Sequence, residues 1–238
     1  MVVNIKDEKD LIMSNTYAFG DVHGEYFKLK YLIDKIYIKN EDTLVFLGDY
    51  IDRGKYTFEV IDYLIKLDEK YNCVFVKGNH EAMLIDFLAG IYEKLFFING
   101  GSDTIKSYKE QGWDIDIKTK YHMRKMPYSH LKFFEKKLVN YYETEEYIFV
   151  HAGIAPNTLL KNMPDKYLFW DRNFIHDTSY KGKLVVFGHT PNKKILNEKY
   201  KICIDTGGCF DSMGNLTCVK LPERTFISQG CTLEDLDD

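Results

Sequence analysis

Residues 16–24, Thr-Tyr-Ala-Phe-Gly-Asp-Val-His-Gly, decide how the chain is read. Four apolar, aromatic or β-branched residues without a charge run into a turn bounded by Gly20 and Gly24. A run that short, closed by glycine, is the pattern of a strand buried on both faces. Asp21 and His23 stand two residues apart just past its end, a spacing that puts both side chains on one face. The unit recurs four more times. Residues 43–47 (TLVFL) precede GDYIDRG at 48–54, and residues 73–76 (CVFV) precede KGNHE at 77–81. Residues 147–150 (YIFV) precede HAG at 151–153, and residues 184–187 (LVVF) precede GHT at 188–190.

Helical patterns lie between several of these runs. Leu29, Leu32, Ile33 and Ile36 share one face, and so do Phe58, Ile61, Leu64 and Ile65. A third helix is expected to start near Glu81 and to carry Met83, Leu84, Phe87 and Leu88. Strands alternating with helices, the strands apolar throughout, imply an α/β fold with its sheet buried beneath helices. The polar residues cluster just past the carboxyl ends of the strands, where ligand sites form in α/β sheets. Five such ends delivering Asp, His and Asn point to one convergent site.

Composition narrows the class. The chain has 238 residues, 45% of them hydrophobic and 29% charged, with a formal net charge of −4. That is ordinary globular composition, long enough to bury a large core. We read residues 1–238 as a single catalytic domain, with no internal repeat, low-complexity tract or linker. The charge leaves no basic footprint for a stable nucleic-acid partner. No apolar stretch at the N-terminus has signal-peptide length and no run approaches a membrane span, so a cytoplasmic location and no membrane partner are expected. No feature specifies an oligomeric state. The five Cys are odd in number and include no C-x-x-C pair, which fits reduced thiols better than disulfides or a zinc knuckle.

Carboxylate and imidazole side by side are natural ligands for a divalent transition metal. Asp49, with two oxygens, can bridge two ions. Counting donors gives Asp21, His23 and Asp49 for one ion, and Asp49, Asn79, His151 and His189 for a second. Two metals that share a carboxylate sit roughly 3.5–4 Å apart, the spacing of phosphatase and nuclease sites. The mixed oxygen and nitrogen set favours Mn first, with Fe or Zn as alternatives, over Mg or Ca. Any one of these dipeptides alone is an ordinary turn. Their number and order set them apart.

GDVHG, GDYIDRG, GNHE, HAG and GHT in this order resemble the calcineurin-like metallophosphoesterases. More narrowly they are similar to the serine/threonine protein phosphatase branch and to the symmetrical diadenosine tetraphosphate hydrolases. The resemblance runs from about Tyr17 to Leu221. It implies a four-layer α-β-β-α sandwich with two mixed sheets, a dinuclear site at one edge, and Asp49 as the bridge. It implies a phosphoric monoester hydrolase in which two ions activate a shared water for direct in-line attack on phosphorus. His80 is then the general acid for the leaving oxygen, and Asp52 accepts its other ring N–H and holds the imidazolium. Arg53 clamps phosphate oxygens, and Arg172, in LFWDRNF, is the candidate second clamp, against the plainer reading of an exposed arginine capped by Asp171.

Three further segments stand out. Asn99-Gly100-Gly101-Ser102 reads as a helix stop, with a substrate-side role as the alternative. Residues 118–137 hold seven Lys or Arg against one acid, Glu135. They read as a solvated face that could also steer an anionic substrate. Asp205-Thr206-Gly207-Gly208 ends another apolar run, and Asp205 is expected to support His189. His122, His130 and His176 carry no role. The substrate expected first is a phosphorylated protein, with a dinucleoside tetraphosphate cut symmetrically as the alternative. A non-catalytic metal-bound scaffold is the alternative from another class, and the completeness of the set argues against it.

Overall fold

The computed structural model describes residues 14–113, 115, 126–210 and 214–230. Strands β1 (Thr16–Phe19), β2 (Thr43–Phe46) and β3 (Asn72–Val76) coincide with the first three apolar runs to within a residue. Helices α1 (Tyr26–Asp34), α2 (Thr57–Lys70) and α3 (Asn79–Leu88) follow them in alternation. Next come α4 (Glu93–Ile98), α5 (Gly101–Glu110) and α6 (Tyr128–Lys132), then the short strands β4 (Leu138–Val139) and β5 (Tyr142–Glu143). The second half holds β6 (Tyr147–Phe149), α7 (Asp165–Trp170), β7 (Leu184–Phe187), β8 (Leu196–Asn197) and β9 (Lys201–Cys203). It closes with β10 (Asp205–Thr206), β11 (Asn215–Leu221) and β12 (Thr225–Gln229).

These strands form two mixed sheets. In the seven-stranded sheet the order is β10-β11-β1-β2-β3-β4, with β12 beside β11. Its β1 to β4 run parallel, while β11 is antiparallel to β1, β10 and β12. The five-stranded sheet has the order β5-β6-β7-β9-β8, with a parallel centre of β6, β7 and β9.

The apolar runs hide a period of two. Tyr17 and Phe19 of β1 face the helices, packed with Leu29, Leu32, Ile61 and Leu64, while Ala18 between them faces the other sheet. In β7, Val185 and Phe187 pack with Leu168 and Phe169 of α7, while Val186 joins Ala18, Val45 and Val76 between the sheets. Three apolar layers separate four layers of structure, the expected α-β-β-α sandwich. Both faces of each central strand are buried, which is why no polar alternation marks them. Phe19, Phe46 and Phe75 stack across three parallel strands with ring centroids 4.8 and 5.4 Å apart.

Two helix expectations shift. Helix α3 begins at Asn79, two residues before Glu81, because the Glu81 side chain accepts the Gly78 N–H (2.9 Å) and closes the helix start from its third position. The buried stripe of α2 is Thr57, Val60, Ile61, Leu64 and Leu67, with Phe58 and Ile65 only half-buried at its edge. No helix among the described residues is long and apolar enough to cross a membrane. Cys73, Cys203, Cys209 and Cys218 are free thiols, and Cys231 lies outside the described residues.

His130, with no role in the sequence reading, is buried beside α5 and shares a 2.8 Å hydrogen bond with the Tyr108 hydroxyl. Burial pulls its pKa down to about 4, only partly opposed by Asp62. A histidine held neutral in the fold is protonated first in the unfolded chain. Stability is therefore lost as pH falls from about 6.5 through about 4. Replacing His130 with Gln should shrink the loss of unfolding free energy between pH 6.5 and 4.5 by about 2 kcal/mol. Urea denaturation at the two pH values reads this difference.

Candidate metal centre and active site

Backbone strain marks the site before any side chain is considered. Among the described residues eight non-glycine positions have positive φ, and five of them are His23, Asp49, Asp52, Arg53 and His189, at 45°, 52°, 70°, 68° and 65°. Each such residue costs on the order of 1–3 kcal/mol, so its neighbours must hold it. They do so by joining one strand end to the next. The N–H groups of Val22 and His23 both donate to the Asp49 carbonyl (3.0 and 2.7 Å), and Gly24 donates to that of Tyr50. Glu81 accepts the N–H groups of Asp49 (2.9 Å), Tyr50 (2.8 Å) and Gly78 (2.9 Å). Burial, then the charge of Asp49, lifts its carboxyl to about 7 against these donors.

The donors converge on Asp49. Its Oδ2 lies 3.5 Å from His23 Nε2, 3.4 Å from His151 Nε2 and 3.9 Å from His80 Nε2. His151 Nε2 is also 3.0 Å from Asn79 Oδ1 and 3.1 Å from His189 Nδ1. The two sheets meet at this point, since β2 contributes Asp49 while β6 and β7 contribute His151 and His189. His23 Nδ1 donates to the Ile51 carbonyl (2.8 Å) and His151 Nδ1 to that of Leu47 (2.9 Å). Both rings are thereby held with Nε2 turned toward Asp49, since a carbonyl on Nδ1–H fixes the tautomer and leaves Nε2 able to bind a metal. Among the described residues two groups could each hold an ion: His23, Asp49 and His80, and Asp49, His151 and His189.

Asp21, expected to share an ion with His23, is also tied to the end of β7. Both its oxygens accept the His189 N–H (3.2 and 3.0 Å), and Asp205 is its strongest charged neighbour. Burial, then Asp205, raises the Asp21 pKa well above the carboxylate range, and burial brings Asp205 to about 6. The carboxylate that holds the His189 N–H is that of Asp21.

The electrostatics favour bound cations. Burial alone would lower His151, yet the charge and hydrogen bond of Asp49, with Asp21 behind, push it up to about 10. Burial would raise Asp49, but His151, His80 and His23 hold it well below its usual value. Burial keeps His23 well below its ordinary pKa and His189 at about 3, so both offer lone pairs. Among the described residues His189 Nε2 is buried without a hydrogen-bond partner, and its Nδ1 lies 3.1 Å from His151 Nε2. Imidazole nitrogens gathered around a shared carboxylate fit divalent transition ions.

Beside this cluster stands a second one. His80 Nδ1 donates to Asp52 Oδ2 at 2.6 Å. Asp52 is locked by Thr104 of α5, whose hydroxyl donates to Oδ1 (2.6 Å) and accepts the Asp52 N–H (2.9 Å). Burial opposes charge on His80, but Asp49 and Asp52 outweigh it and raise its pKa. Arg53 Nη1 lies 2.8 Å from His23 Nε2, and its Nη2 lies 3.1 Å from His80 Nε2. Gly100 separates α4 from α5 at φ 103°, and a Cβ there would meet Arg53 Cγ at 3.0 Å and Arg53 N at 3.1 Å. The Asn-Gly-Gly stretch is both helix stop and seat of Arg53.

Arg172 is exposed at the rim and donates to the His189 carbonyl (3.3 Å). Asp171 instead caps the N–H groups of Asn173 and Phe174 (both 3.1 Å). Of the basic stretch, residues 118–125 lie outside the described residues. Lys137 pairs with Asp68 at 2.6 Å. The sequence reading gave no role to Glu81 or Thr104. Glu81 was visible as the last letter of GNHE, whereas nothing local signals Thr104.

Strand-end carboxylates and imidazoles between two mixed sheets define a metal-dependent phosphoesterase class. The model of the calcineurin-like phosphoesterases matches residues 15–217, and the chain belongs to that family. It is 28% identical to the bis(5'-nucleosyl)-tetraphosphatase PrpE [asymmetrical] of Anoxybacillus flavithermus (strain DSM 21510 / WK1), over 90% of this chain and 93% of that one. The fold is that of a crystal structure of a protein proposed to be a diadenosine tetraphosphatase (TM-score 0.66, 20% identity, 94% and 96% of the two chains). It is also that of a serine/threonine phosphatase from Saccharomyces cerevisiae with similarity to human PP5 (TM-score 0.59, 15% identity, 92% and 80%).

Glu81→Gln places an amide NH2 among three backbone N–H groups. Isothermal titration with Mn should show affinity weakened about 10- to 100-fold, the usual cost of a lost outer-shell partner.

Proposed function

We propose that this chain is a two-metal hydrolase that cleaves dinucleoside polyphosphates. The observation that carries the two-metal part is the single oxygen, Asp49 Oδ2, facing three imidazole nitrogens at 3.4–3.9 Å. Asp21, His23 and Asp49 would hold one ion, and Asp49, Asn79, His151 and His189 the other. Bound there, two divalent ions lower the pKa of water and neutralise phosphate charge. The chain's own residues do the rest. Arg53, aimed between His23 and His80, orients phosphate oxygens and stabilises charge at the transferred group. His80 presents Nε2 to the leaving oxygen as proton donor, and Asp52, fixed by Thr104, keeps that ring in place. Arg172 supplies a second contact from the rim.

On substrate, the ranking drawn from sequence is reversed. The relative that spans nine-tenths of the chain is named for a dinucleoside tetraphosphate, and the phosphatase likeness at 15% identity supports only the fold. Cleavage is proposed to be asymmetrical, as in that relative. A serine/threonine phosphoprotein remains the second reading, favoured by the resemblance of the motifs.

Two outcomes test this. With Mn, kcat/KM on diadenosine tetraphosphate should exceed that on Ser, Thr or Tyr phosphopeptides at least 100-fold, and chromatography should show ATP and AMP. Two ADP would restore symmetrical cleavage, and a preferred phosphopeptide would restore the phosphoprotein reading. His80→Ala should cost about 10²–10⁴-fold in kcat on phenyl phosphate and clearly less on p-nitrophenyl phosphate, whose leaving group needs no proton. Equal losses would remove His80 as the acid.

A further inference from the structure

We infer that the cleft bordered by Pro191 to Lys193 after β7 and by Thr206 and Phe210 after β10 is the subsite for a nucleoside of the substrate, with the Phe210 ring as its stacking platform. This rests on the dinucleoside reading above.

Phe210 is a large aromatic left 57% exposed, beside a site whose other rings are buried. One face of a neighbouring group explains its position. The Arg53 guanidinium lies over the ring at 5.0 Å, and Arg53 Nη1 is 2.8 Å from His23 Nε2. A single residue therefore links the platform to the metal donors. The ring borders a cavity of about 460 Å³ with Pro191, Asn192, Lys193, Thr206 and Asn215. That volume lies within the usual range for small-ligand clefts, about 300–1,000 Å³. Pro191 to Lys193 begin two residues after His189, so the cavity opens from the same strand end that carries a proposed ligand.

The backbone that carries the platform is hydrogen-bonded on both sides of Gly208. The Phe210 N–H donates to the Gly207 carbonyl (3.1 Å) in a turn where Gly207 has φ 73°. Beneath it Lys28 of α1, only 2% exposed, donates to the Gly208 carbonyl at 2.6 Å and pairs with Glu25 at 3.1 Å. A buried ammonium is costly unless fully engaged, and this one is spent on pinning the turn that presents Phe210. Nucleobases all offer a π-face, so an exposed phenyl ring stacks on them with little sequence preference. Lys193 in the lining and Arg53 over the ring supply positive charge for the polyphosphate.

The test compares substrates with and without a base. Phe210→Ala should lower the ratio of kcat/KM for diadenosine tetraphosphate over p-nitrophenyl phosphate about tenfold, mainly through KM, and Phe210→Trp should restore the ratio to within twofold. If both substrates fall by the same factor, the ring only props Arg53 and the subsite is overturned; an unchanged ratio overturns it as well. A second measurement separates this proposal from the dinucleoside reading. In saturating Mn, ATP should inhibit p-nitrophenyl phosphate turnover more tightly than inorganic tripolyphosphate does, and Phe210→Ala should abolish that advantage. The subsite stands on this result even where the wild type fails to cleave diadenosine tetraphosphate. Equal inhibition by ATP and tripolyphosphate in the wild type overturns it. So does a loss in Phe210→Ala confined to phosphotyrosine peptides, which would give the ring to a peptide.

Discussion

One carboxylate oxygen organises this molecule. Asp49 Oδ2 faces His23, His80 and His151, which come from three different strand ends, and no pair of these residues is close in sequence. Such a meeting is possible only where parallel strands of two sheets finish at the same edge. The aromatic stack of Phe19, Phe46 and Phe75 sets the first sheet, and the apolar layer of Ala18, Val45, Val76 and Val186 sets the second against it. The left-handed backbone at Asp49 then turns its side chain back into the seam, and Glu81 holds it there through three N–H groups.

Conflict between charge and burial follows from that arrangement. Asp21, Asp49 and Asp205 lie in a space where burial raises carboxyl pKa values, and only His151 and its neighbours bring Asp49 down. The chain's formal charge of −4 therefore conceals a local demand for cations. Folding brings acid groups together at a cost that bound divalent ions would relieve. The strain at His23, Asp52, Arg53 and His189 belongs to the same design, because relaxed loops would point these side chains into solvent.

Much of this was legible in the sequence. Short apolar runs closed by glycine gave the central strands to within a residue, since strands buried on both faces have a composition no surface element shares. The donor residues were legible because each sits directly behind such a run. Three kinds of information were not. Asp21's partner, the His189 N–H, is a backbone group 168 positions away and leaves no trace in residue type. Thr104 locks Asp52 from 52 positions away by a hydroxyl that any helix could carry. Lys28 carried no local signal of burial, yet it is buried, its ammonium donating to the Gly208 carbonyl 180 positions away. In each case a contact between distant segments decides, and local pattern does not encode it.

On the reading proposed above, Asp49 joins two ions through one carboxylate. Electron paramagnetic resonance of the Mn-loaded protein reads that bridge, because two Mn ions about 3.5–4 Å apart are magnetically coupled. An exchange-coupled multiline spectrum is expected at two Mn per chain, replaced in Asp49→Ala by an uncoupled signal or by none. A six-line spectrum of isolated Mn in the fully loaded wild type would contradict it.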